Sequence, residues 1–286
     1  MTKHPEVASF WTGSSLSFFE LVCIQSFVDH GIKFHLYTSG PIENIPDSVE
    51  LHDASDIYEG SLTKSEDVRF NAGVYSDIFR AHLMKKTDYL WVDLDVYCLR
   101  PLDAPTDHIF GVVYRRKSAN NCVLRLPKNS PALQLMMDFY TAEVPIPHWW
   151  PDRRLKPLLE DYKAGVRPTL GTLPWTTTGP GVLSWALRTT GELALGQSWK
   201  TYFQFQSALN FEYLQTDTPI ESYETDVARF VHLYGSTKIH IRDSFDGVPP
   251  PGSYVEAICD RHGVDPAAHP IPSFNAMGQP VAAKAD

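Results

Sequence analysis

Cysteine is scarce in this chain: four in 286 residues, at Cys23, Cys98, Cys122 and Cys259, with no C-x-x-C pair among them. That spacing argues against both a disulfide-stapled scaffold and a zinc cluster built from the four thiols. Cys23 and Cys98 lie inside apolar patterns, so buried, reduced thiols of a cytosolic protein are expected. Long apolar runs are missing as well. No stretch approaches the roughly 18 residues of a membrane span. The opening MTKHPEVASFWTG has no apolar core of a secretion signal and no cleavage site. A soluble, cytoplasmic protein is expected, with peripheral membrane contact left open and the oligomeric state undetermined. Positive charge is in deficit, 25 Lys and Arg against 34 Asp and Glu, for a net charge of -9. Polyanion binding asks for a basic face, so nucleic acid is not an expected partner. A small anionic ligand stays compatible, because a bound cation reverses the local sign of a site. There is no internal repeat and no low-complexity block before the AAKAD tail.

What is present is an ordinary globular composition, 43% hydrophobic and 21% charged, in a chain long enough to bury a core without staples. Val7 to Trp11 reads as a buried strand ended by Thr12-Gly13-Ser14-Ser15. Leu16 to His30 has helical spacing with Gly31 as its stop, and Ile32 to Tyr37 reads as a second strand. A strand, helix, strand opening predicts an α/β fold with a mainly parallel sheet flanked by helices. A weak strand is expected near Ser48 to Leu51, then a helix over Ala72 to Lys86 and a compact apolar strand at Tyr89 to Val92. Further strands are expected at Ile109 to Tyr114, Cys122 to Leu126 and Val227 to Leu233, with helices at Pro131 to Ala142 and Gly181 to Thr190. Residues 144–178, rich in Pro and Trp, are expected to be an irregular excursion. Residues 1–272 are read as one domain and 273–286 as a frayed tail.

The apolar strand ends in Asp93-Leu94-Asp95. A D-x-D triplet alone is weak, since a chain of this length holds about one by chance. Its position gives it weight, because ligands bind beyond the carboxyl ends of parallel strands. Residues i and i+2 of a strand point to one side, and two close carboxylates repel unless a cation or proton lies between them. Mg²⁺ and Mn²⁺ suit such oxygens together with substrate phosphates. The bland alternative is a solvated turn. A second chemistry is the haloacid-dehalogenase type of phosphohydrolase, where the first Asp is a nucleophile; the G-D-x-x-x-D acidic pair that would accompany it is missing, Asp243 and Asp246 being the nearest candidates.

Two further groups fit a diphosphate. His232-Leu233-Tyr234-Gly235-Ser236-Thr237-Lys238 supplies a metal ligand, a residue that lets backbone approach phosphate, and a cation. Asp77 and Arg80 share a helix face at i, i+3. They are either a surface ion pair worth under about 1 kcal/mol or a fork and an acceptor for phosphate and sugar hydroxyls.

Ser76-Asp77-Ile78-Phe79-Arg80 followed by Tyr89-Leu90-Trp91-Val92-Asp93-Leu94-Asp95-Val96-Tyr97 resembles the family-32 glycosyltransferases, D-x-D sugar transferases of the Rossmann-like GT-A fold. The spacing from Asp77 and Arg80 to Asp93 also resembles the glucosyltransferase domains of large clostridial toxins. The His232 stretch is similar to the H-x-x-G-x-x-K signature of the glycogenin-like family 8, although Ile239-His240 stands where Pro-Trp usually follows the lysine. Lys85-Lys86-Thr87-Asp88 replaces the Gly-Gly pair common before the apolar strand.

The resemblance implies Asp93, Asp95 and His232 at a Mn²⁺ or Mg²⁺ ion, with Asp93 also at the ribose. It implies Asp77 and Arg80 at the donor sugar and phosphate, with Arg80 assisting catalysis. Gly235 and Lys238 would meet the diphosphate, Trp11 and Thr12 the nucleotide base, and Asn121 and Gly179 the donor sugar. The implied activity is retaining transfer of a hexose or N-acetylhexosamine from a nucleotide sugar, a UDP-sugar by expectation, to a saccharide or glycolipid acceptor in polysaccharide biosynthesis. The competing reading is a nucleotide-sugar binding module without catalysis. Trp149, Trp150 and Trp175 are read as either a sugar-stacking platform or core filling, and Arg153, Arg154 and Lys156 as either a contact for an anionic acceptor or a solvated helix face.

Overall fold

A computed structural model describes residues 4–60, 68–102, 106–113, 115, 117–174, 176–203, 207–274 and 280–281. In chain order the principal elements are β1 (Val7–Trp11), α1 (Phe18–Asp29), β2 (Phe34–Thr38), β3 (Val49–Asp53), α2 (Val68–Lys86), β4 (Leu90–Val92), β5 (Val96–Cys98), β6 (Gly111–Val113), β7 (Ser118–Ala119), β8 (Val123–Leu124), α3 (Pro131–Thr141), α4 (Asp152–Lys163), α5 (Val182–Thr190), β9 (Gln197–Ser198), α6 (Trp199–Tyr202), β10 (Phe230–His232), α7 (Gly235–Ser244), α8 (Tyr254–His262), β11 (Ser273–Phe274) and β12 (Pro280–Val281). The fold is mixed α/β with a mainly parallel sheet flanked by helices. The chain divides into two compact units, one of residues 1–52, 92–104 and 200–286, the other of residues 53–91 and 105–199.

In the first unit, β1 pairs in parallel with β2, in the register Val7 to Phe34 through Trp11 to Thr38. The order continues to β3 at the edge. Both β1 and β2 read as near-continuous apolar runs because both faces are covered. Helix α1 is buried over almost its whole length, which is why its apolar residues are not confined to one stripe. It starts where Glu20 reaches back to Ser17, Oε2 accepting from the Ser17 N–H at 3.0 Å and hydroxyl at 2.7 Å. Ser26 of α1 then pins β5: its Oγ accepts from the Cys98 N–H at 2.8 Å and donates to the Cys23 carbonyl at 2.6 Å. Phe18, Phe19, Val22 and Cys23 pack with Tyr97, Tyr213, Val231, Tyr254 and Ile258 in the core of this unit. All four cysteines are buried and none is in a disulfide.

In the second unit, α3 packs against α5, with Leu133, Met136, Val182, Leu183 and Leu187 buried. Helix α3 begins at Ser130, whose Oγ accepts from the Leu133 N–H at 3.1 Å. The carboxylate of Glu192 closes that end, accepting from Ser130 Oγ at 2.7 Å, the Ala132 N–H at 2.6 Å and Thr190 Oγ1 at 2.8 Å, with His108 Nε2 at 2.9 Å. A carboxylate at a helix N-terminus meets the positive end of the helix dipole.

Several sequence expectations are altered. The stretch at 144–178 is not wholly irregular: it holds α4, whose Asp152 start and Lys, Arg, Leu and Glu content favour helix between Pro- and Trp-rich flanks. The late apolar run became a three-residue strand, β10, because it pairs antiparallel with the equally short β5. The expected frayed tail carries the pairing of β11 with β12; residues 275–279 and 282–286 lie outside the described residues. Among the described residues no helix is long and apolar enough to cross a membrane.

Burial alone would raise the Glu192 carboxyl, but the hydrogen bonds from His108, Ser130, Thr190 and the Ala132 N–H outweigh it and leave the group below its usual range. A lowered carboxyl contributes stability that is present above the unfolded pKa, about 4.3 for Glu, and is lost as pH falls through the folded value. Glu192→Gln should therefore lose about 1.5–3 kcal/mol at neutral pH. It should also flatten the acid limb of the stability profile below about pH 4.3, read by chemical denaturation at a series of pH values.

Candidate functional site

The acidic triplet is a turn rather than the end of a strand. The chain leaves β4 at Val92, and the Val96 N–H donates to the Asp93 carbonyl at 3.0 Å, closing a four-residue reversal into β5. Leu94 turns into the core, and the two carboxylates are left half-buried on its flanks. Strand alternation is thus not what brings Asp93 and Asp95 together; the turn is.

Pairing of β5 with β10 then delivers the histidine. In the antiparallel register His232 faces Val96, and the Leu233 N–H donates to the Asp95 carbonyl at 2.8 Å. His232 Nε2 lies 3.2 Å from Asp95 Oδ1. One ligand atom from each of Asp93, Asp95 and His232 lies within 4.8 Å of the others. The imidazole is oriented by the ring of Tyr234, whose centroid is 3.9 Å away. Two carboxylate oxygens and one imidazole nitrogen at these separations could hold a metal ion.

Beyond His232 the backbone reverses at Tyr234, with φ of 65°, and enters α7 at Gly235. Gly235 is exposed, and a Cβ placed on it would meet nothing within 4 Å. The positive end of a ten-residue helix therefore begins three residues after the histidine, with open space over its first residue. Lys238, on the first turn, places its ammonium 2.5 Å from Glu20 Oε1 and 5.0 Å from the centroid of the Trp11 ring. Trp11 folds back so that Nε1 donates to the Ser15 carbonyl at 3.0 Å. Only glycine fits beneath it, since a Cβ at Gly13 would lie 2.7 Å from Nε1. Thr12 is exposed beside it. Burial, then the charges of Asp95 and Glu20, push the Cys23 thiol well above its usual range, so it stands there as an inert neutral group.

Asp77, Arg80, Asn121 and Gly179 come together in the second unit. Arg80 is 5% exposed. Its Nε donates to the Ser76 carbonyl at 3.2 Å, Nη1 to the Asn121 carbonyl at 2.7 Å and Nη2 to Ser76 Oγ at 3.1 Å, while the guanidinium lies 4.6 Å over the Trp91 ring. Asp77 Oδ1 accepts from Asn121 Nδ2 at 2.9 Å and lies 3.4 Å from Arg80 Nη2; Oδ2 accepts from Thr178 Oγ1 at 2.8 Å. Burial raises the Asp77 carboxyl against the opposing pull of Arg80, Thr178 and Asn121. In this geometry Arg80 ties helix α2 at Ser76 to the segment at Asn121. The Tyr140 hydroxyl donates to the Thr178 carbonyl at 2.5 Å and fixes the turn that carries Gly179.

Glu20 and Tyr140 were not singled out from the sequence, and Tyr234 and Thr178 carried no role of their own. Glu20 was recoverable, because Ser17-x-x-Glu20 before an apolar run is a helix-start signature. The others depend on long-range packing. Trp149, half-buried, stacks at 4.8 Å on Trp185 and meets Phe139 edge-on at 4.9 Å. Trp175 lies outside the described residues. Arg153, Arg154 and Lys156 are on α4, which has no buried residue.

No known protein family matches the chain by sequence profile, and no curated protein matches it. Solved structures include a neighbour, PaToxG Glycosyltransferase, at 14% identity and a TM-score of 0.41, covering 67% of this chain and 73% of that one. Likeness this low carries no argument about activity.

A Cβ at residue 179 would lie 2.7 Å from Asp77 Oδ1 and 2.8 Å from Asn121 Nδ2. Gly179→Ala should therefore push the Asp77 and Asn121 side chains apart and cost about 1–3 kcal/mol. Denaturant titration checks it, and an unchanged midpoint would contradict the close approach.

Proposed function

We propose that this chain is a retaining glycosyltransferase. It moves a hexose or N-acetylhexosamine from a nucleotide sugar, a UDP-sugar in our reading, to a saccharide or glycolipid acceptor, with a divalent cation held by Asp93, Asp95 and His232. The observation that carries this reading is the convergence of those three ligands directly before the open N-terminus of α7. A cation site alone fits many chemistries. A cation site adjoining a helix N-terminus with an unobstructed glycine and a lysine on its first turn fits a diphosphate.

When bound, the cation neutralises charge that develops on the departing nucleoside diphosphate. The residues around it have separate tasks. Asp93 and Asp95, fixed by the turn, and His232, fixed by β10 and the Tyr234 ring, hold the cation. The first turn of α7 faces the diphosphate with backbone at Gly235 and the Lys238 ammonium. Trp11 and Thr12, at the end of β1, are suited to the nucleotide base. The bond from the anomeric carbon to the diphosphate oxygen breaks and its electron pair goes to the diphosphate. The acceptor oxygen bonds to the same carbon from the same face, and its proton passes to the departing diphosphate oxygen.

A thermal-shift panel of nucleotide sugars with and without Mn²⁺ tests the reading. A donor that raises the midpoint only with metal is expected, by about 2.7 kcal/mol at a hundredfold excess over Kd. In the presence of metal, slow release of nucleoside diphosphate from that donor is expected, which a binding module would not show. Asp95→Asn should abolish both transfer and metal-dependent donor binding. Normal turnover by that variant would overturn the proposal.

A further inference from the structure

A second group of metal-competent side chains lies in the first unit. His35 is on β2, Glu50 and His52 are on the edge strand β3, and Glu6 immediately precedes β1. Glu50 and His52 stand at i and i+2, so they share a face of β3. His35 is 1% exposed at its side chain. Its Nε2 lies 2.9 Å from Glu6 Oε2 and its Nδ1 lies 2.9 Å from His52 Nε2. Glu50 Oε2 is 3.4 Å from His35 Nδ1 and 4.0 Å from His52 Nε2. The other Glu50 oxygen, Oε1, is 2.7 Å from Lys33 Nζ.

We infer that His35 Nδ1, His52 Nε2 and Glu50 Oε2 form a second divalent-cation site of the zinc class, distinct in ligands from the Asp93, Asp95 and His232 group. Three features support it. The donor set, two imidazoles and one carboxylate, is one that zinc takes with a fourth position open to water. Four-coordinate zinc at about 2.0–2.1 Å from nitrogen sets its ligands about 3.3 Å apart, and the three separations of 2.9, 3.4 and 4.0 Å bracket that value. Glu6 on the far nitrogen of His35 places the proton on Nε2 and turns the Nδ1 lone pair toward the site, the usual second partner of a metal-bound histidine. The ring of His52 is held by Tyr37, stacked at 4.9 Å and 25°. His52 and Glu50 are 31% and 46% exposed at their side chains, so a solvent water can reach the open position. Bound there, the ion ties the edge strand β3 to β2.

Co²⁺ is the probe, added to the metal-stripped full chain and followed by visible absorption, because four-coordinate Co²⁺ absorbs far more strongly than six-coordinate Co²⁺. The wild-type chain and Asp95→Asn should both show one equivalent of strongly absorbing Co²⁺ that Zn²⁺ displaces. His52→Gln and Glu50→Gln, both at exposed positions, should lose that band. Glu6→Gln should keep it with about 10–100-fold weaker binding. Absence of the band in the wild-type chain, its survival in His52→Gln, or its loss in Asp95→Asn would each overturn the inference.

Discussion

The pairing of Val96–Cys98 with Phe230–His232 is the constraint on which the candidate cation site rests. Residues more than a hundred positions apart become neighbours because a three-residue strand is hydrogen-bonded in one register. Leu99 and Arg100 both donate to the Arg229 carbonyl, and Leu233 donates to the Asp95 carbonyl, so the register is clamped at both ends. A slip of one residue would turn His232 to the opposite face and replace it with a buried apolar neighbour. Ser26 holds β5 against α1, Glu20 of the same helix meets Lys238, and Arg100 Nη1 donates to the Thr225 and Ala228 carbonyls at 2.9 Å each. The ligands are placed by secondary structure and buried hydrogen bonds rather than by mobile loops. That is the arrangement a site needs to bind an ion without a large ordering cost.

The second unit solves a different problem. Arg80 and Asp77 are a buried ion pair, and such a pair is tolerable only when its remaining hydrogen-bonding capacity is engaged. Ser76, Asn121 and Thr178 provide that engagement. The Trp91 ring adds a cation–π contact on the guanidinium face. Gly179 is what allows the closure, since its missing side chain is the space into which Asp77 and Asn121 fit. The arginine read from the sequence as a fork onto substrate is, in the fold, the bracket that keeps an acid and an amide in register.

The opening strand, helix and strand were legible because their apolar periods are long and their stops are explicit: Thr12-Gly13 after β1, and Gly31, at φ of 71°, after α1. Asp93, Asp95 and His232 were legible as residue types at strand ends. What brings them together was not. A turn closed by Val96 and a non-local antiparallel pair leave no periodic trace in three-residue strands. The same reason hid α8, whose apolar positions Tyr254, Val255, Ile258 and Cys259 sit in a polar stretch, and α4, whose lack of any buried residue removes the signal that reveals most helices. Spacing shows which residues share a face and says nothing of whether that face is covered, as it is at Arg80, buried against Ser76, Asn121 and Trp91.

Charge around the site bears on how strict the metal dependence should be. Lys238 is the cation nearest the diphosphate position in our reading, yet its ammonium lies 2.5 Å from the Glu20 carboxylate. Seen from a ligand several ångströms away, the two largely cancel. Asp93 and Asp95 then dominate the field, and both repel a diphosphate. In a family of designs where lysine stood alone, a donor would bind weakly without metal and better with it. In the proposed reading the paired lysine would not offset two carboxylates, and a bound cation would reverse the sign of the site before the donor approaches. Metal should therefore govern donor binding itself, not only the chemical step, and the dependence should appear in the binding constant as well as in the rate.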